Sequence, residues 1–321
     1  MTTSPDGQQT VALPLVVGVS TRAMFDLTEE HDVFTHQGVA AYAQLQRERE
    51  RVPLKPGAAF EVTRRLLALN EEQPTPMVKV ILLSRNSPDL SLRAFNSFEH
   101  YGLSVQHGSF TSGRAVAPFV PAWGVDLFLS NADDDVQVAI TAGTAAARLG
   151  SAPQGSNGEV DDCVPADEVR IALDGDAVLF SEASDRIFRE HGLEQFLAHE
   201  RTNAQVPMDR GPFGRTFFPK LALIRQAFMR DDGTSRVRLS IVTARNAPAH
   251  ERVVHTLRAW GTPADEVHFV GRHPKGPFLR ACGAHIFFDD QEKHVVGASD
   301  FVPSGLVPGP HSPDDPIIPA K

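Results

Sequence analysis

Cysteine is scarce. Cys163 and Cys282 are the only two among 321 residues. Two cysteines make no disulfide framework, which points to a reducing compartment. A basic surplus is also missing. The formal net charge of −9 argues against polymeric nucleic acid as a partner, because such a surface needs a basic footprint. A small anion held by a few local cations or a metal stays compatible with that charge. No apolar run approaches the roughly 18 residues of a membrane helix. The opening "MTTSPDGQQTVALP" lacks the basic n-region and apolar stretch of a signal peptide. Together these absences predict a cytoplasmic protein with no membrane partner. The thirteen histidines show no His-Glu-x-x-His pattern, so no zinc site of that kind is expected. What is present is ordinary: 41% hydrophobic and 22% charged residues, the composition of a globular protein.

Three stretches punctuate the chain. Residues 1–11 are polar and expected to be loose. "GSAPQGSNGEVDD", from Gly150 to Asp162, reads as a linker. The end, from Pro303 to Lys321, is too proline-rich to predict regular structure. Between them, short apolar runs read as buried parallel strands: "LPLVVGV", "VKVILL", "VDLFL", "VRIAL", "VRLSIV" and "AHIFF". Helical patterns lie between the runs. Phe217, Leu221, Ile224 and Phe228 form one helical stripe, expected to pack into the core. Strands alternating with helices predict an α/β fold with helices on both sheet faces.

The chain also resembles itself. "GVSTRAMFD" (Gly18–Asp26) lies over "ALDGDAVLF" (Ala172–Phe180) at an offset of 154 residues. The same offset pairs Phe34 with Phe188, Gly38 with Gly192, Pro53 with Pro207 and Gly57 with Gly211. "VKVILLSRNSP" lies over "VRLSIVTARNAP", and "PFVPAWGVDLFLSNADDDV" over "PFLRACGAHIFFDDQEKHV" at an offset of 159. Two tandem Rossmann-like parallel-sheet domains follow from these blocks. They are bounded at 12–150 and 164–302, and a Pro-rich tail occupies 303–321.

The second copy carries a set of carboxylates, a hydroxyl and a lysine at or just after its strand ends that the first copy lacks. Asp174 and Asp176 follow "VRIAL", Thr243 follows "LSIV", Lys275 sits in "GRHPKGPF", and Asp289 and Asp290 follow "AHIFF". Ligand sites of open parallel sheets lie beyond the carboxyl ends of the strands, so these groups are expected to share one crevice. Several carboxylates together would repel and take up protons. A hard cation such as Mg²⁺ removes that repulsion and binds through carboxylates plus a substrate phosphate. One carboxylate can then attack phosphorus, and another can protonate the leaving oxygen and later deprotonate water. A hydroxyl and a lysine can hold the phosphate oxygens.

This ordered set resembles the haloacid dehalogenase superfamily. Asp174, Asp176 and Val178 match its first motif, Thr243 its second, Lys275 its third, and Asp289 with Asp290 its fourth. The resemblance implies Asp174 as nucleophile and metal ligand. It implies Asp176 as general acid/base that also offers its backbone carbonyl to the metal, and Asp289 as a further ligand beside Asp290. More narrowly, "LLSRNSPDLSLRAFNSFEHYGL", "IALDGDAVLFSE", "VTARNAPAHERV", "PKGPFLRACGAHIFFDDQ" and "VPSGLVP" look like the cytosolic type I 5'-nucleotidase family, from about residue 13 to 307. That family hydrolyses nucleoside 5'-monophosphates, chiefly AMP or IMP and their deoxy forms, with Mg²⁺. "GRHPKG" departs from the resemblance, with Arg272 and His273 where small residues are expected.

The resemblance also implies a helical cap between the first two motifs, about 181–236. Within it Arg210, Phe213 and Arg215 are candidate substrate contacts. Phe213 lies off the stripe, between Pro212 and Gly214, and reads equally as free to stack on a base or as an anchor of the cap. Arg245 and Asn246 read equally as a turn and helix cap or as substrate contacts. The first copy has Ser20 and Arg22 opposite Asp174 and Asp176, Val116 opposite Lys275, and Ser130 and Asn131 opposite Asp289 and Asp290. It is expected to hold no metal. Two readings of it stand: structural support or partner packing, or a nucleotide effector held by Arg22, Ser84 and Arg85. The run Asp133–Asp135 reads as a solvated helix start, and Cys282 as buried rather than reactive. A phosphatase or phosphotransferase on another small phosphomonoester, a nucleotide-sensing regulator, and assembly as a homo-oligomer all remain open.

Overall fold

The computed structural model describes residues 13–71, 73–150, 164–165 and 167–309. The expected linker, the first residues and most of the tail lie outside that set.

In chain order the strands are β1 (Leu15–Ser20), β2 (Phe25–Asp26), β3 (Lys55–Pro56), β4 (Val78–Ser84), β5 (His107–Phe110) and β6 (Leu127–Ser130). They continue with β7 (Ala145–Leu149), β8 (Val169–Leu173), β9 (Val237–Thr243), β10 (Glu266–Phe269), β11 (Ile286–Asp289) and β12 (Ser304–Leu306). Ten of them form one sheet in the order β10-β9-β8-β11-β12-β7-β6-β1-β4-β5, while β2 and β3 pair separately. Within the large sheet every pairing is parallel except β7 with β12. All six apolar runs of the sequence are strands, and β8 matches its run "VRIAL" residue for residue.

Two expectations change. The sheets do not stand apart, because β7 and β12 pair antiparallel and join ten strands edge to edge. Pairing two edges removes unpaired backbone groups that would otherwise meet water or another chain. The Pro-rich tail contributes β12: Pro303 has no N–H to donate, but its carbonyl accepts from Phe287 N at 2.9 Å and seats the strand beside β11.

Side chains alternate across the sheet. Val80 and Leu82 join one core, Ile81 and Leu83 another. One face carries a single core running from Leu15 to Phe288 through both halves. The opposite face has two separate cores, one around Phe128 and one around Phe287. The stripe residues Phe217, Leu221 and Ile224 are fully buried on the helix Phe217–Ala227.

Each half sends out a long helix, Thr28–Glu48 and Ala183–Thr202, and each helix is broken at a glycine. Gly38 has φ 83° and ψ 179°, and Gly192 has φ 80° and ψ −179°. A side chain is strained in that region and glycine is not.

Candidate active site

β8 ends at Leu173, and the next residue, Asp174, donates its backbone N–H to Phe288 O of β11 at 2.8 Å. The chain then makes a tight turn, Gly175–Leu179, in which Ala177 takes φ 59°. A non-glycine residue there is uncommon and costs free energy that the surrounding structure must offset. Thr243 ends β9, Lys275 caps the helix Gly276–Ala281, and Asp289 ends β11. All of them therefore lie at carboxyl ends of neighbouring strands or just beyond.

The groups converge. Lys275 Nζ donates to Asp174 Oδ1 at 2.6 Å and to Asp289 Oδ2 at 2.6 Å. Asp174, Asp289 and Asp290 are all buried and offer oxygens within 4.8 Å of one another. Asp289 also accepts from Gln291 N at 2.8 Å and lies 3.2 Å from His294 Nδ1. Burial raises the Asp174 carboxyl to about 6, against the pull of Lys275 and with the help of Asp289. At Asp289 burial acts in the same direction, but Lys275 and His294 outweigh it and hold the carboxyl below its usual range. Burial would lower the Lys275 ammonium, yet the two carboxylates raise it. Three buried carboxylates of hard oxygen donors fit a divalent cation such as Mg²⁺.

Asp176 stands outside this triad. Its carboxylate receives a two-pronged contact from Arg245, Nε to Oδ2 at 2.7 Å and Nη2 to Oδ1 at 2.7 Å. Arg245 is buried and its Nη1 is bound by Glu200. Glu200 also accepts from Ser184 at 2.8 Å and from Arg252 at 3.0 Å. Burial would raise the Glu200 carboxyl, but Arg245 foremost holds it below its usual range. The sequence reading missed Glu200 and His294. "LAHERT" looks like a solvated helix face, and only the self-alignment, which sets Glu200 opposite Gln46, singles it out.

The other candidates are dispersed. Asn246 is exposed, and its carbonyl accepts from His250 N at 3.1 Å. Arg215 is exposed. Arg210 stacks 4.1 Å from the Trp260 ring centre and donates to Gly214 O at 2.7 Å. Of the two readings of Phe213, free stacking on a base is corrected: the residue is fully buried, with ring centres 4.8 Å from Phe288 and 5.5 Å from Phe217. Its position between Pro212 and Gly214 lets the helix Pro212–Arg215 press against the sheet, so the ring fills core space and is not free to meet a base.

In the first half, Ser20 Oγ accepts from Ala23 N and caps a short helix. Arg85 pairs with Asp134 and Asp135 at 2.6 and 2.7 Å, so its charge is already engaged by carboxylates. Asp135 is buried and also accepts from Val116 N and Ala117 N. The expectation of a wholly solvated acidic run therefore fails at Asp135.

Residues 8–313 match the family described as 5'-nucleotidase. The chain belongs to the 5'-nucleotidase family. It is 30% identical over 295 residues to cytosolic 5'-nucleotidase 1B of Homo sapiens. That match covers 88% of this chain and 47% of the human protein, so the chain spans about half the length of this relative. Among solved structures, a histidinol dehydrogenase from Elizabethkingia anophelis aligns over 91% of this chain and 79% of its own, at 7% identity and a TM-score of 0.24. That score is too low to bear on the fold. Among the described residues, no helix is long and apolar enough to cross a membrane.

Proposed function

We propose that the chain is a Mg²⁺-dependent 5'-nucleotidase that hydrolyses nucleoside 5'-monophosphates, AMP or IMP and their deoxy forms, through an aspartyl-phosphate. One observation carries the reading: Lys275 Nζ bridges Asp174 and Asp289 within a buried acidic cluster at the strand ends, in a chain of the 5'-nucleotidase family.

Asp174, Asp289 and Asp290 would hold the cation, with the Asp176 carbonyl as a further donor. Bound there, Mg²⁺ supplies positive charge that draws the phosphate in and offsets the carboxylates. An Asp174 oxygen attacks phosphorus, the P–O5' bond breaks, and the departing oxygen takes its proton from Asp176. Asp176 then removes a proton from water, whose oxygen attacks phosphorus, and Asp174 and inorganic phosphate are released. Thr243 and Lys275 hold the phosphate oxygens while charge develops. The helix Ala183–Thr202, whose Glu200 reaches Arg245, serves as the cap, and the segment from Pro212 to Ala227 belongs to the core. Arg245 acts on the proton carrier Asp176 and not on the base. Arg215 and Asn246, both exposed, stay candidates for substrate contact.

The two halves are copies of one unit, and the first supports the second without catalysis. Phosphate release from AMP is expected with Mg²⁺ and is expected to vanish with EDTA. Release that EDTA leaves untouched would remove the metal from the mechanism. Hydrolysis of another phosphomonoester with none of AMP or IMP would favour the broader phosphatase reading.

A further inference from the structure

Each half ties its broken helix together with one arginine. In the first half, Arg93 Nη1 donates to Glu30 and to Gln46 at 2.8 Å each, and its Nε donates to Val52 O at 3.0 Å. In the second, Arg252 Nη1 donates to Glu200 at 3.0 Å and lies 3.5 Å from Ser184 Oγ, and its Nε donates to Val206 O at 2.9 Å. The frame is shared, but the carboxylate has moved: Glu30 and Gln46 stand where the second half has Ser184 and Glu200. The one oxygen of a neutral Gln46 accepts from Arg93. Glu200, completely enclosed, has a second oxygen to satisfy, and Arg245 fills it. The remaining nitrogens of Arg245 then grip both oxygens of Asp176. In the first half, the matching Arg85 turns to Asp134 and Asp135 instead.

We propose that Glu200 is a positioning residue for the reaction: it fixes the Arg245 fork, and the fork sets the plane of the Asp176 carboxyl group, which carries, on a lone pair not used by Arg245, the proton given to the oxygen that leaves. This inference rests on the nucleotidase reading. A two-pronged arginine–carboxylate contact sets the plane of the carboxylate as well as its distance, and a buried pair is held only while its other partners are satisfied. Glu200 touches neither substrate nor metal in this scheme and acts only through Arg245.

The test compares two leaving groups in single turnovers, so that only transfer to Asp174 is read. The nucleoside O5' leaves as an alkoxide and needs a proton, whereas p-nitrophenolate does not. Glu200→Gln is expected to slow nucleoside release from AMP roughly 10²-fold, the lower end of what general acid–base catalysis supplies. KM should stay within about threefold, and p-nitrophenol release should change little. Should Glu200→Gln fail to fold by circular dichroism, Glu200→Asp keeps the charge with a shorter reach and should show the same split. Arg245→Met should be as slow on AMP as the double variant with Glu200→Gln, since both act through one path. Equal losses on the two substrates, or a further loss in the double variant, would overturn the proposal. A wild-type chain that releases nothing from any nucleotide would overturn the nucleotidase reading first, and this inference with it.

Discussion

The two halves of the sheet share their scaffold and differ at its rim. Val16 N donates to Asp126 at 2.8 Å, and Arg170 N donates to His285 at 2.9 Å. Leu54 N donates to Ser97 Oγ at 2.9 Å, and Met208 N to Thr256 Oγ1 at 3.1 Å. Each pair joins positions that the self-alignment matches, and each ties a strand or helix residue to one in a loop. At the carboxyl ends of β1 and β6 the polar groups are small and neutral: Ser20 Oγ caps a helix and donates to Asn131 Oδ1 at 3.4 Å, and Ser130 accepts from Ala132 N. Beyond β8 and β11 they face one another as the acidic cluster. Rim residues contribute little to the pairing of strands, so chemistry there can change while the fold persists.

The sharpest way to break that contrast is at its matched first positions. Asp174→Asn should lower phosphate release by about 10³-fold or more, since losing a nucleophile costs at least that. The fold should survive, because Lys275 keeps Asp289 as a partner. Ser20→Ala should leave activity within a few fold and weaken one short helix. Reversed outcomes in a phosphate-release assay would move the active site to the other half. A step down in size, Asp176→Asn should cost about 10²–10⁴-fold in kcat, and near wild-type kcat would deny it the proton-transfer role.

Phe213 tests the contrast in the core. The matching residue in the first half is Ala59, with Phe60 one place later, edge-on to Tyr101 at 4.8 Å. The second half puts its ring one residue earlier, against Phe288. Phe213→Ala should therefore lower stability by about 3–5 kcal/mol, as for a large side chain removed from a filled core, measured by denaturant unfolding. Any activity that remains should fall equally on AMP and on ribose 5-phosphate. A loss confined to AMP would return Phe213 to the base.

Much of this was legible in the sequence, for identifiable reasons. Inner strands are buried on both faces and read as apolar runs, which is why β1, β4, β6, β8, β9 and β11 were predicted. The edge strands β5, "HGSF", and β10, "EVHF", are half-covered and carry polar residues. The alanine-rich β7 and the three-residue β12 lack the branched side chains that mark a strand. Asp174, Thr243, Lys275 and Asp289 were legible because each follows a strand in a fixed order. Phe213 was left undecided because a residue beside glycine and outside a stripe looks free. In fact the glycine lets the backbone come close: a Cβ at Gly214 would lie 2.3 Å from Leu179 O.

The smallest effect concerns a matched pair with opposite chemistry. Asp126 and His285 each exchange two hydrogen bonds with the first half's Val16 and the second half's Arg170, respectively. Asp126 meets the cation Lys220 at 2.7 Å. His285 is buried, and its Nε2 has no partner among the described residues. Burial first, and then the nearby Arg65 charge, lowers the imidazole to about 3. Between that value and the usual 6.5 the unfolded chain binds a proton that the folded chain refuses. Stability from His285 is therefore full above about pH 6.5 and is lost as pH falls toward 3. From pH 7 to pH 5 the loss is about 2 kcal/mol. Asp174, raised by burial, changes stability in the opposite sense over part of this window, so the wild-type curve alone does not isolate His285. His285→Asn keeps an acceptor for Arg170 N and removes the titration. Denaturant unfolding of both proteins at pH 7 and pH 5 should show the wild type losing about 2 kcal/mol more than the variant. Parallel losses would mean that His285 takes up its proton as readily in the folded chain as in the unfolded one.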